Sequence, residues 1–190
     1  MGLHIYRARE DDLIDGCRRR DTNAQRELYD LFSPKMYALC YRYVRNPAEA
    51  EDVLVCAFMK VFEKINQYRG EGSFEGWIRR IVVNEALTVL RRNRNMYLET
   101  DLDEVRWGAD AAQLLDHLEV QDLQEMISEL PPGYRIVFNM YAIDGYSHKE
   151  IADHLGISEN TSKSQLSRAR SHLRKLLNDY DVLSAKNKEK

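Results

Sequence analysis

The stretch SHKEIADHLGISE, residues 147–159, restricts the folding of this chain more than any other. Ser147 with Glu150 three positions later makes the S-x-x-E capping box. In it a hydroxyl and a carboxylate each satisfy a backbone N–H that the first helical turn leaves open. The helix so begun is short and buries Ile151, Ala152 and Leu155. Gly156 supplies the turn, and Ile157 is placed to fill the angle between two helices. Ser158 is a good N-cap for the next helix, with Glu159 at that helix's positive end. Helix, tight glycine turn and second helix at this spacing predict a helix-turn-helix.

The second helix of the pair has an unusual charge. The whole chain carries 31 Asp+Glu against 28 Lys+Arg, a net charge of -3. Yet after Glu159 no carboxylate appears until Asp179. On a helical wheel Leu166, Ala169, Leu173, Leu176 and Leu177 share one side and are expected to pack on the domain. Nearly opposite lie Thr161, Ser164, Arg168, Ser171 and Lys175, with Ser167 beside them. Small hydroxyl residues let a helix approach a groove closely, and Arg168 can reach a guanine edge or a phosphate. Lys163, Arg170 and Arg174 flank this face and suit backbone phosphates, which would repel a carboxylate placed there. A solvated basic face is the alternative; the helix-turn-helix frame favours nucleic acid.

The rest of the chain is predicted to be all-α, with a helix over 22–45 that Pro34 should kink or break. Asn46-Pro47 restarts a helix through Ile65. Its apolar stripe is Val53, Leu54, Ala57, Phe58, Val61, Phe62 and Ile65. The loop YRGEGSFEG follows, with Ser73 as N-cap of a helix from Phe74 to about Asn95. From Glu99 to Glu125 acids dominate and Arg106 is the only cation. Helical periodicity returns over 114–130, Pro131-Pro132-Gly133 ends that helix, and another spans 134–144. Two small helical domains are therefore expected, at 10–95 and 113–178, joined by an acidic linker over 96–112 and followed by a disordered tail over 179–190.

Several function classes fall away. No apolar run approaches the roughly 20 residues of a bilayer span, and the N-terminal MGLHIYRAREDD has no apolar signal core, so a cytoplasmic protein is expected. Cys17, Cys40 and Cys56 form no CxxC pair and read as small, reduced core residues. His4, His117, His148, His154 and His172 show no metal-ligand spacing. GEGSFEG lacks the preceding strand and the GK[ST] of a phosphate loop. No nucleophile motif is present, so neither an enzyme nor a cofactor is expected.

The helix WIRRIVVNEALTVLRRNRN sets Trp77, Ile78, Ile81, Leu87 and Leu90 on or near one face and Arg79, Arg80, Arg91, Arg92 and Arg94 mainly elsewhere. A second basic helix implies a second contact with nucleic acid. Before it lie Tyr68, Arg69 and Phe74, and aromatic and arginine groups in a loop can stack on unpaired bases. Phe74 and Trp77 could instead be core anchors, Trp77 above all.

These segments together resemble a bacterial RNA polymerase sigma factor of the sigma-70 family, extracytoplasmic-function (ECF) group, over roughly residues 20–178. NPAEAEDVLVCAFMKVFEKI resembles the helix that docks on the polymerase clamp, FEGWIRRIVVNEALTVLRR the segment that melts and reads the −10 element, and LPPGYRIVFNMYAIDGYSHKEIADHLGISENTSKSQLSRARSHLRKLL the −35 reader. The resemblance implies that Glu51, Asp52, Val53, Phe58 and Phe62 face core RNA polymerase. It implies that Tyr68, Arg69, Phe74, Arg79, Arg80, Asn84, Arg91 and Arg92 serve the −10 element, with loop 68–74 and Asn84 holding an extruded base. At the −35 groove it implies Lys163, Ser164, Gln165, Ser167 and Arg168, to which the helical wheel and its flanking charges add Thr161, Arg170, Arg174 and Lys175. The implied partners are core RNA polymerase, promoter DNA and an anti-sigma factor. The acidic linker would lie in the enzyme's nucleic-acid path, its carboxylates standing in for phosphates. Four positions differ from the family's habit: Val55-Cys56 replaces a polar pair, Thr88 an acid, and Gln165 a frequent arginine. The competing reading is a stand-alone helix-turn-helix regulator with its own sensory or dimer domain.

Overall fold

The computed structural model describes residues 2–92 and 120–188. The described residues are all helical or connecting segments, without a strand, and divide into two compact units, Met1–Arg92 and Asn93–Lys190. The expected acidic linker over 96–112 and the first turns of the helix expected from 114 lie outside the described residues.

In the first unit four helices surround one core: α1 (Gly2–Arg18), α2 (Thr22–Val44), α3 (Pro47–Lys64) and α4 (Phe74–Arg92), with a 3₁₀ turn at Ile65–Gln67. The caps are local and specific. Asp21 accepts from the backbone N–H of Asn23 at 2.8 Å and of Ala24 at 3.2 Å, starting α2. Arg45 ends α2 in the left-handed region at φ 59°, and Asn46 then caps α3 by accepting from Glu49 N at 3.1 Å, with Pro47 at a first-turn position that loses no hydrogen bond.

Helix α2 runs through Pro34 without interruption, where the sequence predicts a kink or break. A mid-helix proline costs about 3 kcal/mol. The stripe Leu28, Phe32, Met36, Leu39, Cys40 and Tyr43 is buried along α2 on both sides of Pro34, and each large apolar side chain contributes about 1.5–3 kcal/mol. Burial outweighs the proline. Val53, Leu54, Ala57, Phe58 and Val61 of α3 and Phe74, Ile78, Val82, Val83 and Leu87 of α4 complete the core. The β-branched run at 81–83 is plain helix.

Cys17 and Cys40 are buried as expected, and burial pushes their thiols up to about 11 and about 12 respectively. Cys56 corrects the expectation: it is exposed on α3, because it falls outside the 53/54/57/58/61 stripe.

The second unit contains α5 (Val120–Glu129), α6 (Pro132–Phe138), a π turn at Asn139–Ile143, α7 (His148–Leu155) and α8 (Glu159–Lys188). Met126, Ile127 and Leu130 pack with Ala169, Leu173 and Leu177, the apolar side of α8 read from the wheel. Arg135 is buried and donates to the carbonyls of Leu130 at 2.9 Å and Ser128 at 3.4 Å, two acceptors that the end of α5 leaves open. The helix predicted over 134–144 divides, because Asp144 N donates to Asn139 O at 2.9 Å, a five-residue step in place of the α-helical four.

Helix α8 continues to Lys188, past the boundary at 178 and through the segment expected to be disordered. Residues 159–190 contain neither glycine nor proline, so no local breaker ends it earlier.

Candidate nucleic-acid interface

The helix-turn-helix forms as its punctuation dictates. Ser147 Oγ accepts from Glu150 N at 3.3 Å, and Ser147 N donates to Glu150 Oε2 at 2.8 Å, closing the capping box. Gly156 sits at φ 67°, a left-handed conformation that glycine takes at little steric cost. Ser158 Oγ accepts from Thr161 N at 3.0 Å and starts α8. Ile151 and Ala152 are buried, while Leu155 and Ile157 are half-buried in the angle between α7 and α8.

Leu166, Ala169, Leu173 and Leu177 are buried on one side of α8. Lys163, Ser164, Ser167, Arg170 and Lys175 are exposed; Thr161, Gln165, Arg168 and Arg174 are half-buried. Ser164 Oγ donates to its own helix at Thr161 O, 2.9 Å away, which keeps the side chain close to the backbone and the surface low. Lys163 lies 3.9 Å from Glu159, one helical turn before it.

Two further side chains join the group, which the sequence reading left out. His148 stacks on Tyr141 with ring centroids 4.5 Å apart, and its Nδ1 lies 2.9 Å from Ser162 Oγ. The Arg170 guanidinium sits 5.9 Å from the centre of the Tyr141 ring. Burial first, then the charges of Lys163 and Arg170, hold the His148 pKa below its ordinary value; Glu159 opposes them.

In the first unit, Gly70 and Gly72 turn the 68–73 loop at φ 77° and 82°. The loop is tied by Tyr68 Oη donating to Gly72 O at 3.0 Å, and it is braced from α1 by Arg18 Nη2 donating to Tyr68 O at 2.8 Å. Ser73 caps α4 through Gly76 N at 3.0 Å. Arg69, Arg80, Asn84, Arg91 and Arg92 are exposed, and Tyr68 is half-buried. Arg79 is half-buried beside Glu75 at 3.7 Å, and Glu75 also pairs with Lys35 at 3.0 Å.

Phe74 departs from the expected set. It is only 1% exposed, and its ring packs as a core anchor. Trp77, the residue that seemed the better anchor, is half-buried and stacks on Phe74 at 5.7 Å with planes 13° apart.

A similar correction applies to α3. Val53 and Phe58 are buried inside the unit; Phe62 is half-buried, and Glu51 and Asp52 are exposed. The outward face adds Val55, 52% exposed, and Met59, 67% exposed, one helical turn apart beside Asp52 and Cys56. Helical arithmetic offered a signal for them: apolar residues at 55 and 59 lie outside the inward stripe.

Comparisons with known proteins follow this two-unit layout. Residues 28–96 match the family model of Sigma-70 region 2, and residues 120–173 match that of Sigma-70, region 4. The chain is 30% identical over 178 residues to the ECF RNA polymerase sigma factor SigW of Bacillus subtilis, covering 87% of this chain and 95% of that one. It is 33% identical over 156 residues to the ECF RNA polymerase sigma factor SigE of Mycolicibacterium smegmatis, covering 80% of this chain but only 60% of that relative's length. The sigma factor RpoE of Bartonella quintana, solved with the anti-sigma factor NepR, is similar at a TM-score of 0.48 and 23% identity, over 80% of this chain and 96% of that one.

Proposed function

Because the chain belongs to the ECF group of the sigma-70 family of RNA polymerase sigma factors, we propose how its two units divide the work. As a sigma factor it is a transcription initiation factor that binds core RNA polymerase and directs promoter recognition. This membership supports a polymerase subunit over a stand-alone regulator. Unit 1 meets core polymerase through the outer face of α3 and handles the −10 element through the 68–73 loop and α4. Unit 2 reads the −35 element with α8. The protein works in the cytoplasm, where promoter DNA and polymerase are. An anti-sigma factor is its regulatory partner, and the exposed Val55 and Met59 offer that partner an apolar foothold.

The observation that carries the −35 assignment is the basic, low-relief face of α8, opposite a buried leucine side. Arg168 stands near base edges there, with Arg170, Arg174 and Lys175 mainly on phosphates. Arg168→Ala is expected to cost about 1–3 kcal/mol in promoter binding and to relax preference at one −35 position. Lys175→Ala should weaken all sequences alike and lower the salt slope by about one unit. Transcription by reconstituted holoenzyme from a randomised −35 library separates them. An even loss of output by Arg168→Ala, without a shift in selected sequence, would make Arg168 a phosphate contact.

On α3 the charge-reversing change Asp52→Lys is expected to weaken co-purification with core polymerase while circular dichroism stays helical. Asp52 is exposed and caps nothing, so folding gives no reason for a loss. Undiminished co-purification would remove this face from the interface.

A further inference from the structure

We propose that His148 is a DNA-backbone contact of the −35 complex, donating from Nε2 to a phosphate and taking up a proton as DNA binds. The inference rests on the reading of α8 as the −35 helix and adds to it a residue on the preceding helix.

Geometry comes first. Ser162 Oγ, on a side chain with no exposed surface, holds Nδ1 at 2.9 Å, and Nε2 has no hydrogen-bond partner among the described residues. A serine hydroxyl both donates and accepts. The bond therefore survives protonation: neutral imidazole can accept at Nδ1, and imidazolium donates there. The ring is held in one place in both charge states.

The surroundings supply the linkage. Burial disfavours a proton on His148 most, Lys163 and Arg170 of α8 add to that, and Glu159 favours one. From the π turn comes only the neutral Tyr141 face, 4.5 Å away at 22°, and such a face is attractive to a cation. On α7 itself, Lys149 and Glu150 follow in sequence, with Glu150 engaged in the capping box. Free protein thus holds the ring neutral near pH 7. A phosphate brought against Lys163 and Arg170 cancels the two repulsions and adds an attraction, raising the ring's pKa in the complex. Affinity must then rise as pH falls through the pKa of the complex and level off below that of the free protein. Each unit of difference between the two gives about tenfold in affinity.

The test measures binding of the full chain to a duplex selected from the −35 library, by fluorescence anisotropy between about pH 8 and 5.5 at fixed ionic strength. Wild type should tighten several-fold toward low pH. His148→Asn, whose amide can still meet Ser162, should bind with no such slope. His172→Asn, which removes a histidine of α8 instead, should keep it. A flat wild-type profile, an unchanged slope in His148→Asn, or a slope abolished by His172→Asn would each overturn the proposal. Should His148→Asn unfold the unit, the imidazole resonance of wild-type His148 decides without any variant. Its titration midpoint must be higher with DNA than without, and an equal or lower midpoint refutes the contact. If Arg168→Ala and Lys175→Ala also bind as wild type does, the reading of α8 itself has failed. If those two weaken and the slope is indifferent to His148, only the present inference has.

Discussion

Phe74→Ala is expected to lower the stability of the first unit by about 3–5 kcal/mol, the range for removing a buried aromatic ring from a packed core. Phe74 is 1% exposed, and its ring meets those of Trp77 at 5.7 Å, Tyr68 at 4.9 Å and Phe32 at 5.8 Å. It therefore joins α2, α4 and the loop that precedes α4. Domains of this size have only about 5–15 kcal/mol in total. The loss should show as a lower urea midpoint and early melting by circular dichroism, before any promoter is added. Promoter opening should fail in consequence, at temperatures where the unit has unfolded. A ring that held an extruded base would behave otherwise: the variant would melt like wild type and fail only with DNA. That outcome would return Phe74 to the −10 set.

Ile151→Ala is the corresponding change in the second unit, with an expected cost of about 2–5 kcal/mol. Ile151 has no exposed surface and belongs to α7, whose main contacts are with α8. Its truncation leaves a cavity under the turn that sets the angle between these helices. Binding to the −35 duplex should fall with the folded fraction and recover on cooling or with a stabilising osmolyte. Arg168→Ala, by contrast, should leave melting unchanged and respond to neither. Normal melting with lost binding in Ile151→Ala would mean that α7 touches DNA through this position, against its burial.

What the sequence revealed and what it concealed divide along a physical line. Caps and turns are decided by a few adjacent residues, so Ser147, Gly156, Ser158, Asn46 and Ser73 could all be read directly, and each acts as its chemistry requires. The inward face of α8 was legible too, because leucines at helical spacing admit one packing direction. Pro34 does not end the helix, because the burial on both sides of it outweighs the local cost that the sequence shows. Val53, Phe58 and Phe74 come to the partner sets through the family resemblance, which matches positions and carries no information on burial in this chain. The Tyr141–His148–Arg170 group was invisible for a different reason. Its members are brought together by the fold, across a turn whose width no simple periodicity encodes.

That wide turn makes length the constrained property of this part of the chain. An α-helix advances about 100° per residue, so the additional residue in the 139–143 step rotates everything after it by about that angle relative to an uninterrupted helix. Tyr141 lies within that step, and its ring stacks on the imidazole seven residues later. Ala142 is exposed and its side chain is of little account. Its presence is another matter, because a chain one residue shorter here would carry the same chemistry and aim it elsewhere. A substitution at Ala142 is therefore far less consequential than a single-codon deletion, the reverse of what holds for most surface connections.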